Sequence, residues 1–329
     1  MPDVATVAPH TSQPDANAPS VLMATQSRHA IAVDALTNNK PFAVDAVSQY
    51  LETFATTFDS IALREPANGL LDAKVLEVID AFEPSLKQYR EVISAAGQCD
   101  VVDDLVEPIV HFFQRVLVHK QAGSERMRQC VLWADGHRFI IRELFLTTVA
   151  ILLKHEAFGV IAKLVDAGYC VANSANDGDQ RFVACDGYVK TLDEFRNRRL
   201  QLHRLSVSSD LLRQRVDPVH CDFDALMQAD FILCLRSLVC EQNFFVRWYP
   251  RTLVYAEQFQ VTGFDLFITS ASPARFGPLA ALFNATDMTD LLTRFEAVRD
   301  AWALDRWEIG GGPLDFLGFM GQNNAALRH

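Results

Sequence analysis

The longest apolar stretch with helical spacing runs from Arg138 to Val171, and it splits into two halves around Lys154-His155-Glu156. Apolar residues three and four positions apart share one helix face. The pattern therefore predicts a buried helical hairpin, closed at Gly168. The same rhythm surrounds it. Phe42, Val47, Tyr50, Leu51, Phe54, Phe58 and Ile61 predict a helix opening near Pro41. Asp72 is a candidate N-cap for a helix carrying Val75, Leu76, Ile79 and Phe82. Pro84 either kinks that helix or starts the next, whose stripe of Leu86, Tyr89, Val92, Ile93 and Ala96 ends at Gly97. A further helix spans Val102 to Leu117.

Beyond the hairpin, Thr191 with Glu194 three residues on reads as a capping box for a helix running to Leu205. A second helix starts near Ser208 or Ser209, and Asp222 or Asp224 caps a third. Three segments read as extended: Phe182–Cys185, the aromatic and β-branched stretch from Phe244 to Val261, and Phe264–Thr269. Residues 119–137 are polar and predict a loop, with one short helix around Met127 to Trp133.

Two breaks organise these elements. Residues 1–28 carry four prolines and many small polar residues, which predicts a disordered tail, and Asn173–Gln180 is a boundary in composition. The expected fold is mainly α. It has two parts, a helical domain over 29–173 with a packed αα-hairpin core and an α-rich domain over 181–329 with a small β element. The rhythm of the hairpin, with Ala157, Phe158, Ile161, Ala162 and Leu164 after the break, resembles the helix pairs of tetratricopeptide-like arrays. That resemblance implies a helical scaffold.

With 329 residues and 50% hydrophobic content, the chain can bury a sizeable core. A net charge of -11 argues against a surface coated with basic residues for duplex DNA. No apolar run reaches the roughly 18 residues that span a bilayer. The N-terminus lacks a basic start followed by an apolar block, so a cytoplasmic location without membrane contact is expected. The cysteines, Cys99, Cys130, Cys170, Cys185, Cys221, Cys234 and Cys240, are scattered and form no C-x-x-C pair. They read as free, buried thiols rather than a disulfide frame or a zinc site, and no metal or cofactor is expected.

Charge changes the picture locally. Lys190, Arg196, Arg198, Arg199, Arg204, Arg213 and Arg215 face only Asp193, Glu194 and Asp210 within residues 190–215. Arginine forks donate paired hydrogen bonds to phosphate. Arg196, Arg199 and His203 would lie on nearly one face of a continuing helix. A phosphate or nucleic-acid site would use Arg196, Arg199, Arg204 and Arg213; the competing reading is ion pairing with the protein's own carboxylates. Arg196-Asn197-Arg198-Arg199-Leu200-Gln201-Leu202-His203 fits R-N-x5-H, and Arg198 to His203 fits R-x4-H, which resembles the signature of HEPN ribonucleases. The resemblance covers these eight residues alone. It implies an all-helical, metal-independent ribonuclease in which Arg196, Arg198 and His203 act on RNA through the 2′-hydroxyl.

Other candidates are thinner. His220, Asp222 and Asp224 alternate as metal ligands would on an extended segment, or form a polar loop with a helix cap. Gly310-Gly311-Gly312 lacks the Lys-Ser/Thr of a phosphate loop and reads as a hinge before an apolar tail. Phe244, Phe245, Trp248 and Tyr249 could stack on bases, fill a partner's pocket or pack in the core. No catalytic set is complete. The leading expectation is a soluble, non-enzymatic adaptor or regulatory subunit that binds another protein. The alternative is a nucleic-acid-binding protein or HEPN-like ribonuclease built on residues 196–204.

Overall fold

The computed structural model describes residues 18–61, 70–120, 131–169, 181–240, 247–270, 273–302, 308–309 and 312–322. In chain order its helices are α1 (Ala18–Thr37), α2 (Ala43–Ile61), α3 (Leu71–Ala81), α4 (Glu83–Gly97), α5 (Val106–Leu117), α6 (Asp135–Lys154), α7 (Phe158–Asp166), α8 (Val207–Gln214), α9 (Phe223–Cys240), α10 (Asp265–Thr269), α11 (Pro273–Ala280), α12 (Met288–Trp302) and α13 (Phe316–Phe319). Between α7 and α8 a π-helical turn, Thr191–Arg196, runs into one last α-helical turn, Asn197–Arg199. The described chain is mainly α. No described helix is long and apolar enough to cross a membrane.

Helix α6 is buried on every face: from Asp135 to Leu153 only Arg138 escapes. A helix that is apolar all round must be covered all round. Here α3, α4, α7 and α9 do the covering. Helix α9 is nearly as enclosed, and it packs on α6 across the predicted boundary between the two halves. One continuous hydrophobic core results, reaching from Ala32 to Met320. Its aromatic rings gather in three places. Phe54 lies 5.4 Å from the rings of Tyr89 and Phe112. Phe145, Phe182 and Trp248 stack beside α6. Phe231 meets Phe264, Phe267, Phe316 and Phe319. Each large apolar side chain so buried contributes about 1.5–3 kcal/mol.

The boundaries follow local chemistry. Pro84 sits in the first turn of α4, so it starts a helix rather than kinking one. Lys154 ends α6, Glu156 takes a left-handed φ of 55°, and α7 begins at Phe158. The tail expected over residues 1–28 ends earlier, because α1 begins at Ala18; residues 1–17 lie outside the described residues. Alanine favours helix without marking an apolar stripe, and Ala32 and Ala35 are fully buried on this helix, which packs on α2 and α4.

Among the described residues, the three predicted strands are absent. Phe182–Cys185 and Arg251–Tyr255 are 3₁₀ turns, and Phe264–Thr269 becomes α10. Their aromatic content reflects burial in the core rather than pairing in a sheet. The described β structure is one antiparallel ladder, Glu308–Ile309 with Gly312–Pro313. Phe244, Phe245, the Asn173–Gln180 boundary, Cys130, Cys170 and residues 121–130 of the predicted loop lie outside the described residues.

The buried charges of α6 fix the segment that leads to the surface. Arg142 pairs with Asp186 and Asp230 and donates to the Tyr249 carbonyl at 2.8 Å, while its guanidinium lies 4.5 Å above the Trp248 ring. Asp230 also accepts from Trp248 Nε1 at 2.5 Å and from Thr252 N and Oγ1 at 2.8 Å each. Burial works to raise the Asp186 carboxyl, but Arg142 and Arg251 outweigh it and hold it below the usual carboxylate range. Beside it, a Cβ on Gly187 would meet Arg138 Cβ at 3.0 Å, so a larger residue would have to push the chain a few tenths of an ångström away from α6. Next along α6, Glu143 takes the fork of Arg215 at 2.9 and 3.1 Å.

Candidate functional site

The segment from Tyr188 to Leu205 emerges directly from this buried network. Thr191 gives both its N–H and its hydroxyl to Asp135 Oδ2, at 2.8 and 2.9 Å. Its hydroxyl is therefore tied to α6, and the capping box with Glu194 does not form. The next anchor is Asp72 on α3. The sequence reads it as an N-cap, but the cap position is Leu70, without a side-chain bond. Asp72 instead accepts from Arg196 Nη1 at 3.2 Å and Arg199 Nη2 at 2.6 Å. Burial pushes its carboxyl up, but Arg199 and Arg196 prevail and hold it below the ordinary value.

The helix stops at Arg199, so the predicted run to Leu205 is a loop. Asn197 closes it. Its side-chain amide donates to the Arg204 carbonyl at 2.7 Å and accepts from the Arg204 N–H at 3.1 Å, while its own carbonyl accepts from Leu202 N at 3.0 Å. The chain must double back within six residues, and it does so through left-handed Gln201 and His203, with φ of 50° and 52°. Such conformations cost non-glycine residues about 1 kcal/mol or more. The surroundings hold them in place. Arg204 lays its fork on Asp210 at 2.6 Å through both Nε and Nη2, and Tyr255 donates to the same carboxylate at 2.7 Å. Asp193 accepts from Ser206 Oγ, Ser208 N and Ser208 Oγ at 3.1, 2.9 and 2.7 Å.

The helical turns and the clamped loop together display apolar side chains to water. Tyr188, Phe195, Leu200, Leu202 and Leu205 are between 39% and 57% exposed. Arg198 and His203 are exposed, and neither side chain makes a hydrogen bond or ion pair among the described residues. Lys190 Nζ lies 5.8 Å from the centre of the Phe195 ring.

The predicted phosphate residues are thus distributed among different tasks. Arg196 and Arg199 share Asp72, Arg204 holds Asp210, and Arg215 is buried against Glu143 and Glu83. Arg213 lies 5.8 and 5.9 Å from the rings of Tyr255 and Phe259. His203 stands past the helix end and does not share a helical face with Arg196 and Arg199. Sequence reasoning missed Asn197 as the clasp and Leu200, Leu202 and Leu205 as displayed groups. An asparagine before two arginines carried a turn signal, but the surrounding helical periodicity masked it.

A concavity of about 660 Å³ lies where α6 ends and α9 begins. Lys154, Glu156, His220, Asp222, Asp224 and Asp265 line it with Phe259 and Phe264. Two of the three residues considered for a metal are engaged otherwise. Asp222 caps α9 by accepting from Ala225 N at 2.8 Å, and His220 Nδ1 lies 2.9 Å from Asp217. Burial, together with Asp222 and Asp265, pushes the Asp224 carboxyl up. Among the described residues no group of three His, Cys, Asp or Glu side chains is placed to hold a metal ion. Cys99, Cys185, Cys221 and Cys234 are free, buried thiols.

No family model, no curated protein and no solved structure matches the chain. Its function is argued from the chemistry of these surfaces.

Proposed function

We propose that the chain is a non-enzymatic interaction protein, an adaptor or regulatory subunit, whose partner protein docks on the Tyr188–Leu205 surface. One observation carries the reading: five large apolar side chains and an unpaired arginine are held out to solvent on the Tyr188–Leu205 segment, whose helical turns and loop are fixed by Asp72, Asn197 and Asp210. Clustered exposed apolar groups are characteristic of recognition surfaces, and aromatic residues and arginine are enriched where binding energy concentrates. A loop already held in shape loses little freedom on binding. In this reading the α6–α7 hairpin is the organising core, the 29–173 and 181–329 halves are two lobes on it, and the protein works in the cytoplasm.

The exposure of both Arg198 and His203 favours one other reading, RNA binding or cleavage by Arg196, Arg198 and His203. A photo-crosslinking residue in place of Leu202 separates the two. In an extract of the native cells it is expected to give one discrete protein adduct, and the same residue in place of exposed Glu52 none. Adducts from neither position, or equally from both, overturn the docking reading. RNA cleavage in EDTA that stops with His203→Ala would put the ribonuclease in its place.

A further inference from the structure

Resting on the docking reading, we propose that the occupant of this surface is an acidic amphipathic segment of the partner, in which leucine or phenylalanine side chains alternate with aspartates and glutamates. The sign of the charge here carries the proposal. The chain as a whole bears a formal charge of -11. Around this loop the arrangement reverses, because the acids point inward and the cations point outward. Asp72 and Asp210 are only 5% and 8% exposed. Asp193 is taken up by Ser206 and Ser208. The cations those acids hold, Arg199 and Arg204, keep side chains 36% and 41% exposed, and Lys190 is 47% exposed. Arg198 is exposed and unpaired among the described residues. Glu194, 3.7 Å from Lys190, is the carboxylate that stays in solvent reach.

Donor geometry points the same way. Arg196 and Arg199 each give Asp72 a single N–H contact, although a guanidinium carries five donors. Their remaining N–H groups, with those of Arg198, suit carboxylates, which take arginine forks in paired bonds. Between these cations stand Leu200, Leu202 and Leu205. The three leucines are open to apolar side chains, whereas the flat rings on which a single-stranded nucleic acid would stack, Tyr188 and Phe195, already have the cations of Arg251 and Lys190 4.8 and 5.8 Å from their centres. A basic or neutral segment would leave the outward cations unmatched. An acidic one is attracted to this loop and repelled by the rest of the molecule, so the charge also sets where it binds.

The test uses the full chain and fluorescein-labelled synthetic peptides of equal length, read by anisotropy. One peptide alternates leucine and phenylalanine with glutamate and aspartate; a second replaces the acids with serine and glutamine; a third replaces them with lysine. The acidic peptide is expected to bind about tenfold tighter than the neutral one and to weaken about tenfold between roughly 50 and 500 mM NaCl. Arg198→Glu and Leu202→Asp should each weaken it about tenfold while leaving the urea midpoint unchanged. If the neutral or lysine peptide binds as tightly and is lost with Leu202→Asp, the acidic partner is wrong and the docking surface stands. No binding by the acidic peptide, alongside a crosslinked adduct at position 202, likewise overturns the acidic partner and leaves the docking surface standing. Binding that ignores both substitutions removes the surface itself. An RNA oligonucleotide that displaces the acidic peptide at lower concentration than an unlabelled copy overturns the proposal in favour of nucleic acid.

Discussion

Arg142 sits at the centre of the molecule with two carboxylates, a carbonyl and an indole around it, whereas Arg199 at the surface has one carboxylate and turns the rest of its guanidinium to water. The residue type is the same, and the surroundings decide its use. In the interior the charge of an arginine must be matched, because an unpaired buried charge costs several kcal/mol. It then locks α6 to the Asp186 and Tyr249 segments. At the loop, a buried aspartate orients an arginine without exhausting it, and the unspent donors face outward. Arginine-rich sequence alone therefore does not separate a structural cluster from a recognition surface; the exposure of the arginine side chain does, 3% for Arg142 against 36% for Arg199.

The largest expected effect tests the interior half of this contrast. Arg142→Ala leaves Asp186 and Asp230 buried without their shared cation and should cost about 3–5 kcal/mol in urea unfolding. Arg199→Ala should cost less than about 1 kcal/mol, since its ion pair is partly in water. Equal losses would erase the distinction.

Next comes a pH effect with its own origin. Burial, and then the charge of neighbouring His119, lowers His137 to about 4. The unfolded chain takes up this proton near the ordinary pKa of about 6.5, so stability is full above that pH and is lost as pH falls towards 4. The loss should approach about 3 kcal/mol, and His137→Phe should flatten the profile across this window. A wild-type profile that is flat between these values would show that His137 is not buried in its neutral form.

Asp72→Ala sharpens the surface half. At neutral pH it should cost about 1 kcal/mol and loosen Arg196 and Arg199, weakening peptide binding. Because the Asp72 carboxyl is held below its ordinary value, its contribution is present above about pH 4 and lost as pH falls through the lowered value. The difference from wild type should therefore vanish in acid. The smallest effect is expected at the loop apex. Gln201→Gly relieves a left-handed φ and should leave stability within about 1 kcal/mol of wild type or raise it, while hydrogen exchange at the Arg204 amide speeds up. A destabilisation larger than that would mean the Gln201 side chain, not the Asn197 clasp, holds the loop.

The helices were legible wherever a local rule set them. The spacing of Phe42 to Ile61 gives α2, Pro84 opens α4, and Lys154-His155-Glu156 breaks α6 from α7. Phe264–Thr269 was not legible, because aromatic and β-branched residues serve a buried helix as well as a strand. The candidate surface was legible as a cluster of charge but not as a shape. Arg199 reaches Asp72 across 127 residues, and no periodicity encodes such a pairing. The end of the helix at Arg199 depends on Asn197 bonding to Arg204, a choice made by a side chain against its own helix.

The wiring of Arg142 also sets a timetable for synthesis. Its partners on the Asp230 and Tyr249 segments follow it by 88 and 107 residues. A chain emerging from the ribosome in order exposes the apolar faces of α6 well before the residues that neutralise its arginine exist. Until Thr252 has joined Asp230, the molecular centre has its grease but not its charges in order. The apolar faces of α6 that α9 covers in the finished fold have no cover until that part of the chain has been made.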